Sequence, residues 1–284
     1  MARAAANVSR LQLAMRIPNR NLSRIDNEDL FAFDMCALSA DEVLLACGNE
    51  GLRAVSLHTA QLAAHESSAI RNDVWGVVFD AHTDTLLLLV GAPTTCAKYQ
   101  LVSLRRNASE WLEVQRLCTR ISHLLPNDFV VCDSRVLLGG GGGNTLYVFA
   151  VSAEHTLREA GSVTWQSSFN RVACTRRDGV TLVAFSHGTS VSLLRLTSFP
   201  LRLVPLASVN LTRPYHLLFR EDLLLVTDWK KATGSHAIVS FRAFDNALTE
   251  QRVLFDGFRV SAWTLAGDRL VLWNSWNLVV YAFK

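Results

Sequence analysis

Five polar residues stand at or near the starts of short apolar runs: Asp34, Asp73, Asp128, Asn170 and His216. Carboxylate, amide and imidazole groups are donors that divalent cations accept, so convergence of these starts on one axis would make a metal-hydrolase centre. Used singly, the same residues would solvate turns and strand ends. Four arginines occupy similar points in the chain. Arg171, Arg213 and Arg259 stand at or within two residues of such starts, and Arg71 stands shortly before Trp75. Guanidiniums gathered at one end of a channel would pair bidentately with carboxylate or phosphate on a partner. Trp75 and Tyr215 lie beside them, and Trp276 lies in the hairpin NSWN, which adds the aromatic surface common in binding hot spots.

Other chemistry finds less support. The run Gly139 to Gly143 is followed by Asn144 and the strand-like TLYVFAV, with neither the helix nor the Lys-Ser/Thr pair a phosphate loop needs. A glycine-rich hairpin is the expectation there. Eight histidines are scattered without an H-E-x-x-H pair, and no G-x-S-x-G elbow is present. Six cysteines show no C-x-x-C spacing, which points to free buried thiols and an intracellular, cytoplasmic or nuclear, setting. The expectation is no resident cofactor and no structural metal.

The elements that must position these residues repeat. Turn aspartates at Asp41, Asp84, Asp133, Asp178, Asp222 and Asp268 are separated by 43, 49, 45, 44 and 46 residues. Around each, an apolar run precedes the turn, a second apolar run follows, and a Gly/Asn/Ser-rich loop leads to an alternating third run. A more polar fourth run, such as WLEVQRL from Trp111, completes five of the six units. Repeats of this length made of short strands are blades of a β-propeller, with polarity rising from axis to rim. The fold expected is therefore all-β: a six-bladed β-propeller of four-stranded blades forming one domain over residues 1–284. Its blades fall at about 31–66, 74–117, 128–163, 170–209, 215–255 and 260–284.

The sixth unit reaches Lys284 without a fourth run, while RLQLAMRI stands alone before the first unit. In residues 10–17 Leu11, Leu13, Met15 and Ile17 alternate with Arg10, Gln12, Ala14 and Arg16, a strand period. This segment is expected to complete the last blade and remove an exposed sheet edge. The rival reading is a mitochondrial presequence, suggested by five arginines and no acid between Met1 and Ile25. A presequence would show the period of an amphipathic helix instead.

In rhythm the chain resembles the WD-repeat propellers, through stretches such as VLLACGNEGLRAVSL from Val43 and VAFSHGTSVSLLRL from Val183. Its repeats lack Trp-Asp and Gly-His signatures. The resemblance implies a non-catalytic scaffold that binds a protein or peptide, acidic or phosphorylated, on the loop face around the channel, within a larger complex. The alternative is a propeller hydrolase of the lactonase type with a divalent metal in the channel. A net charge of +3 without a basic stripe argues against nucleic acid. The longest apolar stretch, Leu86 to Ala92, is too short for a membrane helix.

Overall fold

The computed structural model describes residues 11–18, 31–62, 73–91, 99–108, 110–118, 129–139, 142–244, 247–274 and 277–284. The side chains of residues 62, 244, 250 and 258 are outside this description. Every described regular element is a strand, and no helix among these residues is long and apolar enough to cross a membrane.

The isolated N-terminal strand is β1 (Leu11–Pro18). The first blade holds β2 (Asp34–Ala37), β3 (Glu42–Ala46), β4 (Leu52–Ser56) and β5 (Gln61–Leu62). The second holds β6 (Val74–Asp80), β7 (Thr85–Gly91), β8 (Tyr99–Asn107) and β9 (Glu110–Cys118). In the third are β10 (Phe129–Cys132), β11 (Arg135–Leu138), β12 (Thr145–Val151) and β13 (Leu157–Thr164). The fourth comprises β14 (Arg171–Arg177), β15 (Val180–His187), β16 (Ser190–Ser198) and β17 (Leu201–Asn210). The fifth comprises β18 (Pro214–Arg220), β19 (Leu223–Lys230), β20 (Ser235–Phe244) and β21 (Ala247–Phe258). The sixth contains β22 (Ala262–Ala266), β23 (Arg269–Trp273), β24 (Asn277–Phe283) and β1, in the order β22-β23-β24-β1. Each sheet is antiparallel and each inner strand meets the next around a closed ring, so the molecule is a six-bladed propeller.

Second strands carry most of the core. β7 is buried over six consecutive residues, since leucine on both faces packs against both neighbouring blades. Six apolar clusters result, one at each blade interface. Outer strands such as β17 alternate half-buried and exposed positions.

Turn aspartates do structural work at the lower face, where first and second strands join. Asp84, Asp133 and Asp178 adopt left-handed φ values of 51°, 54° and 48°, which Asp tolerates because its short carboxylate bonds locally. Asp133 pairs with Arg176 of the next blade, and Asp41 takes a 2.8 Å bond from Arg269 across the first–sixth junction.

Closure follows the register of β1 on β24, from Leu11 opposite Phe283 to Pro18 opposite Asn277. A bulge between Leu13 and Met15 departs from the strict alternation of the sequence. It reverses which sheet face the odd positions occupy. Leu11 therefore packs with Trp263 and Leu270 toward the fifth blade, while Ile17 packs with Val43, Val55 and Trp273 toward the first. Leu13, on the rim, remains exposed.

Cysteine usage corrects one expectation. Cys36, Cys47, Cys132 and Cys174 are free thiols, but Cys118 is disulfide-bonded, of which the sequence spacing carries no sign.

Ile17 is fully buried, so Ile17→Ala should lower unfolding free energy by about 2–4 kcal/mol. Denaturant melts check this; an unchanged midpoint would mean that β1 does not hold the ring closed.

Candidate functional site

Antiparallel blades place the starts of inner strands and the loops between second and third strands on one face, here the upper face. At two of these starts the backbone is irregular. In β6, Val74 pairs with Val90 and Gly76 with Leu89, leaving Trp75 as an extra residue. In β18 the register slips between Pro214 and Leu217, so Tyr215 and His216 together oppose Thr227. Such bulges re-aim side chains that regular pleating would send into the sheet. The Thr227 hydroxyl compensates by accepting the His216 backbone N–H at 2.9 Å.

Two aromatic groups result on this face. Across the first two blades, Phe31 lies 4.8 Å from Phe33, Phe33 4.5 Å from Trp75, and Trp75 6.4 Å from Tyr99. The Trp75 indole N–H donates to Asp73 Oδ1 at 2.8 Å. A Cβ at Gly91 would meet the Asp73 carboxylate, so a larger residue there would displace the group that holds the Trp75 indole. In the fifth blade, Tyr215 contacts His216 edge-on at 4.6 Å and His236 at 6.0 Å, and His236 contacts Trp229, while His216 lies 6.2 Å from Trp263 of the sixth.

Arg171, the first residue of β14, is only 4% exposed. Its guanidinium lies 4.7 Å from the Tyr215 ring centroid and donates to the Tyr215 hydroxyl at 3.1 Å. It lines the channel, unlike Arg213 and Arg259, which are exposed in the loops before β18 and β22. The arginines thus divide into one channel residue and two loop residues. Arg71 and Trp276 lie outside the described residues. Tyr215 keeps 37% of its surface exposed and joins the two arginine environments.

The acidic residues expected at the axis serve the scaffold instead. Asp34 is buried; its Oδ1 accepts the Met35 N–H at 2.8 Å and its Oδ2 the Val77 N–H at 2.9 Å. This second bond staples the first blade to the second. Asn170 is exposed, with its backbone N–H on the Ser186 carbonyl, and Asp128 lies outside the described residues. Among the described residues no group of three His, Cys, Asp or Glu side chains could hold a metal ion.

Asp228 is a further acid that sequence reading passed over. Its carboxylate accepts the backbone N–H of Thr212 and of Arg213, fixing the loop that presents Arg213. Asp256 is paired with Lys230, and Glu50 with Arg53. Arg213, Arg259 and Lys231 are exposed and, among the described residues, have no ion pair. Lys231 sits between β19 and β20, a position that the second-to-third-strand loop of the repeat could have flagged. Phe33 was legible in the same way, since it immediately precedes an inner strand.

Between the six inner strands lies a cavity of about 340 Å³. Asp34, Arg171, His216, Trp263 and Thr264 line its upper part, and Phe79, Val131, Cys174, Phe219 and Leu265 its lower part. Burial pushes the His216 imidazole well below the usual histidine range, and the Arg171 charge and His236 push the same way. A backbone hydrogen bond to Val260 opposes them. At the lower end, a hydrogen bond from Cys174 lowers the Cys132 thiol against the effect of its burial, with help from Arg176 and Arg135. Burial raises Cys174.

This geometry is that of a WD40-like β-propeller. The chain is similar to the Cps50 (Swd1) propeller domain of Myceliophteria thermophila, with a TM-score of 0.62 over 96% of this chain and 100% of that one, at 8% identity. It matches the WD40 propeller domain of Doa1 with a TM-score of 0.56, covering 97% and 98% of the two chains at 10% identity. A chain of the mitotic checkpoint complex matches at 0.58, covering 99% and 95% at 11% identity. At these identities the likeness defines the fold. No protein-family profile and no curated protein sequence matches the chain.

Two measurements probe this site. Asp34→Ala should lower stability by about 1–3 kcal/mol, because two buried N–H groups lose their acceptor; denaturant melts that coincide with wild type would remove the staple. For His216, the unfolded chain binds a proton near pH 6.5 and the folded chain only far lower, so stability falls as pH drops below about 6.5. His216→Phe should flatten the pH dependence of the unfolding free energy by up to about 1.4 kcal/mol per pH unit in that window. Parallel wild-type and variant profiles would show that the ring is not held neutral.

Proposed function

We propose that the protein is a non-catalytic interaction scaffold whose upper loop face binds an acidic or phosphorylated segment of a protein partner. The observation that carries this reading is the charge arrangement of that face. Its described acids are engaged: Asp34, Asp73 and Asp228 by N–H groups, Asp256 and Glu50 by neighbouring cations. Arg213, Arg259 and Lys231 are left as exposed cations without an ion pair among the described residues. A face whose acids are held by local N–H groups and cations, and whose exposed cations face solvent, offers those cations to an anionic partner at contact.

Tyr215, Phe31 and Trp75 supply the apolar component. Tyr215 and Phe31 are partly exposed and rigidly backed, which suits aromatic anchors in a peptide interface. The propeller supports such a role because its loops are carried by strands that stay fixed when the loops engage a partner. Similarity to a chain of the mitotic checkpoint complex agrees with membership of a larger assembly, which forms the second half of the proposal.

An immobilised degenerate peptide library, with acidic, phosphoserine and basic arms, tests the reading. Wild-type protein should retain acidic or phosphorylated peptides, with affinity falling as salt rises. Combined Arg213→Glu, Arg259→Glu and Lys231→Glu substitutions should weaken this by more than about tenfold while leaving the melting midpoint unchanged, since all three side chains are exposed. Retention of basic peptides, or retention unaffected by the three reversals, would overturn it.

A further inference from the structure

Two thiols meet at the seam between the third and fourth blades. Cys132 ends β10 and shares a strand face with Val130, while Cys174 of β14 shares one with Val172 and Arg176. Val130, Val172 and Cys174 pack in the same apolar cluster between these blades, which turns Cys132 and Cys174 toward each other at its lower edge. The two thiols are hydrogen-bonded. Just beyond them Asp133 pairs with Arg176 and ties the two strands together.

Their surroundings give the two thiols different tasks. Burial raises Cys174, which keeps its proton. The hydrogen bond from Cys174, and after it the Arg176 and Arg135 guanidiniums, lower Cys132 against the opposing effects of burial and the Asp80 charge. A thiolate is the form that attacks an oxidant, and a thiol beside it converts the first product to a disulfide. Cys174 lines the channel cavity, which gives a small oxidant a way to the pair. Burial raises Cys36 and Cys47, the other free thiols among the described residues, so they serve as internal controls.

We propose that Cys132 and Cys174 are a modification site for hydrogen peroxide, at which oxidation forms a disulfide between the third and fourth blades. The Cys132 thiolate attacks one peroxide oxygen and the O–O bond breaks, leaving a sulfenic acid and hydroxide. The Cys174 thiol then attacks the Cys132 sulfur and the S–O bond breaks. The sulfenic hydroxyl leaves with the Cys174 proton as water, and the hydroxide takes up the proton that Cys132 had released. The two thiols together lose two electrons, and the peroxide becomes two waters. The site lies at the lower end of the channel and does not rest on the loop-face reading.

Peptide mapping of the full chain tests the proposal. Cys132 and Cys174 fall in different tryptic peptides, 121–135 and 172–176, and Cys118 falls in a third. Protein first reduced with glutathione is treated with hydrogen peroxide, blocked with N-ethylmaleimide and digested without reductant. A cross-link between peptides 121–135 and 172–176 should form, and dithiothreitol should reverse it. In Cys174→Ser protein, dimedone should trap a sulfenic acid at Cys132, while Cys132→Ser should slow oxidation of Cys174 by about tenfold or more. The three-residue loop reversal should cross-link as wild type does, which separates failure of this site from failure of the loop-face reading. Absence of the cross-link in folded wild-type protein, or oxidation of Cys132 no faster than that of Cys36 and Cys47, would overturn the proposal. If a serine variant does not fold, the wild-type cross-link and the comparison with Cys36 and Cys47 decide.

Discussion

Everything in this molecule depends on closing a ring of sheets, and the antiparallel pairing of β1 with β24 is the bond that closes it. Each blade buries its apolar faces only against its two neighbours, so a ring with an open outer edge would leave β24 unpaired and the first–sixth cluster incomplete. The bulge in β1 lets one short strand serve both sides, delivering Leu11 to one interface and Ile17 to the other. The lower face reinforces the junction through Arg269 and Asp41. A ring closed in this way fixes the distances between loops that are far apart in sequence, and hence the geometry of the upper face.

The repeat was readable because its physical requirements are local. A buried second strand needs an apolar run, a hairpin needs a residue that accepts left-handed φ, and an outer strand needs alternation. All three leave marks within a dozen residues, as VTLVAFS, Asp178 and LRLVPLASV show in the fourth blade. The bulges left no such mark. Ala14, Trp75 and the Tyr215–His216 pair look like ordinary strand positions in sequence, since the extra residue is defined by a partner strand and not by its own chemistry.

Candidate site residues divide along the same line. Arg213 and Arg259 could be placed on the loop face from their spacing alone. Arg171 had the same spacing but a different fate, because a tyrosine 44 residues later stacks over it and a bulge turns that tyrosine toward it. Asp34 likewise stood where an axial ligand was expected, yet its carboxylate answers the N–H of Val77, 43 residues away. Side-chain spacing shows which residues share an end of the propeller. Whether they face solvent, the channel or the neighbouring blade is decided by cross-blade partners, which one sequence does not name.

Those partners also distinguish the polar groups of the channel from one another. Asp34 and Asp228 are buried carboxylates with their oxygens occupied by backbone N–H groups, so their burial is offset where they stand and their role ends with the fold. His216 occupies an equally buried position without that compensation at Nε2 among the described residues, next to a guanidinium that disfavours its protonation. An apolar residue there would extend the Trp263 and Leu217 packing at no such penalty. Local rules broken without a structural return concentrate at sites of function. By that criterion the channel head, and not the acid ring first suggested by sequence, is where the interior of this propeller departs from what folding alone requires.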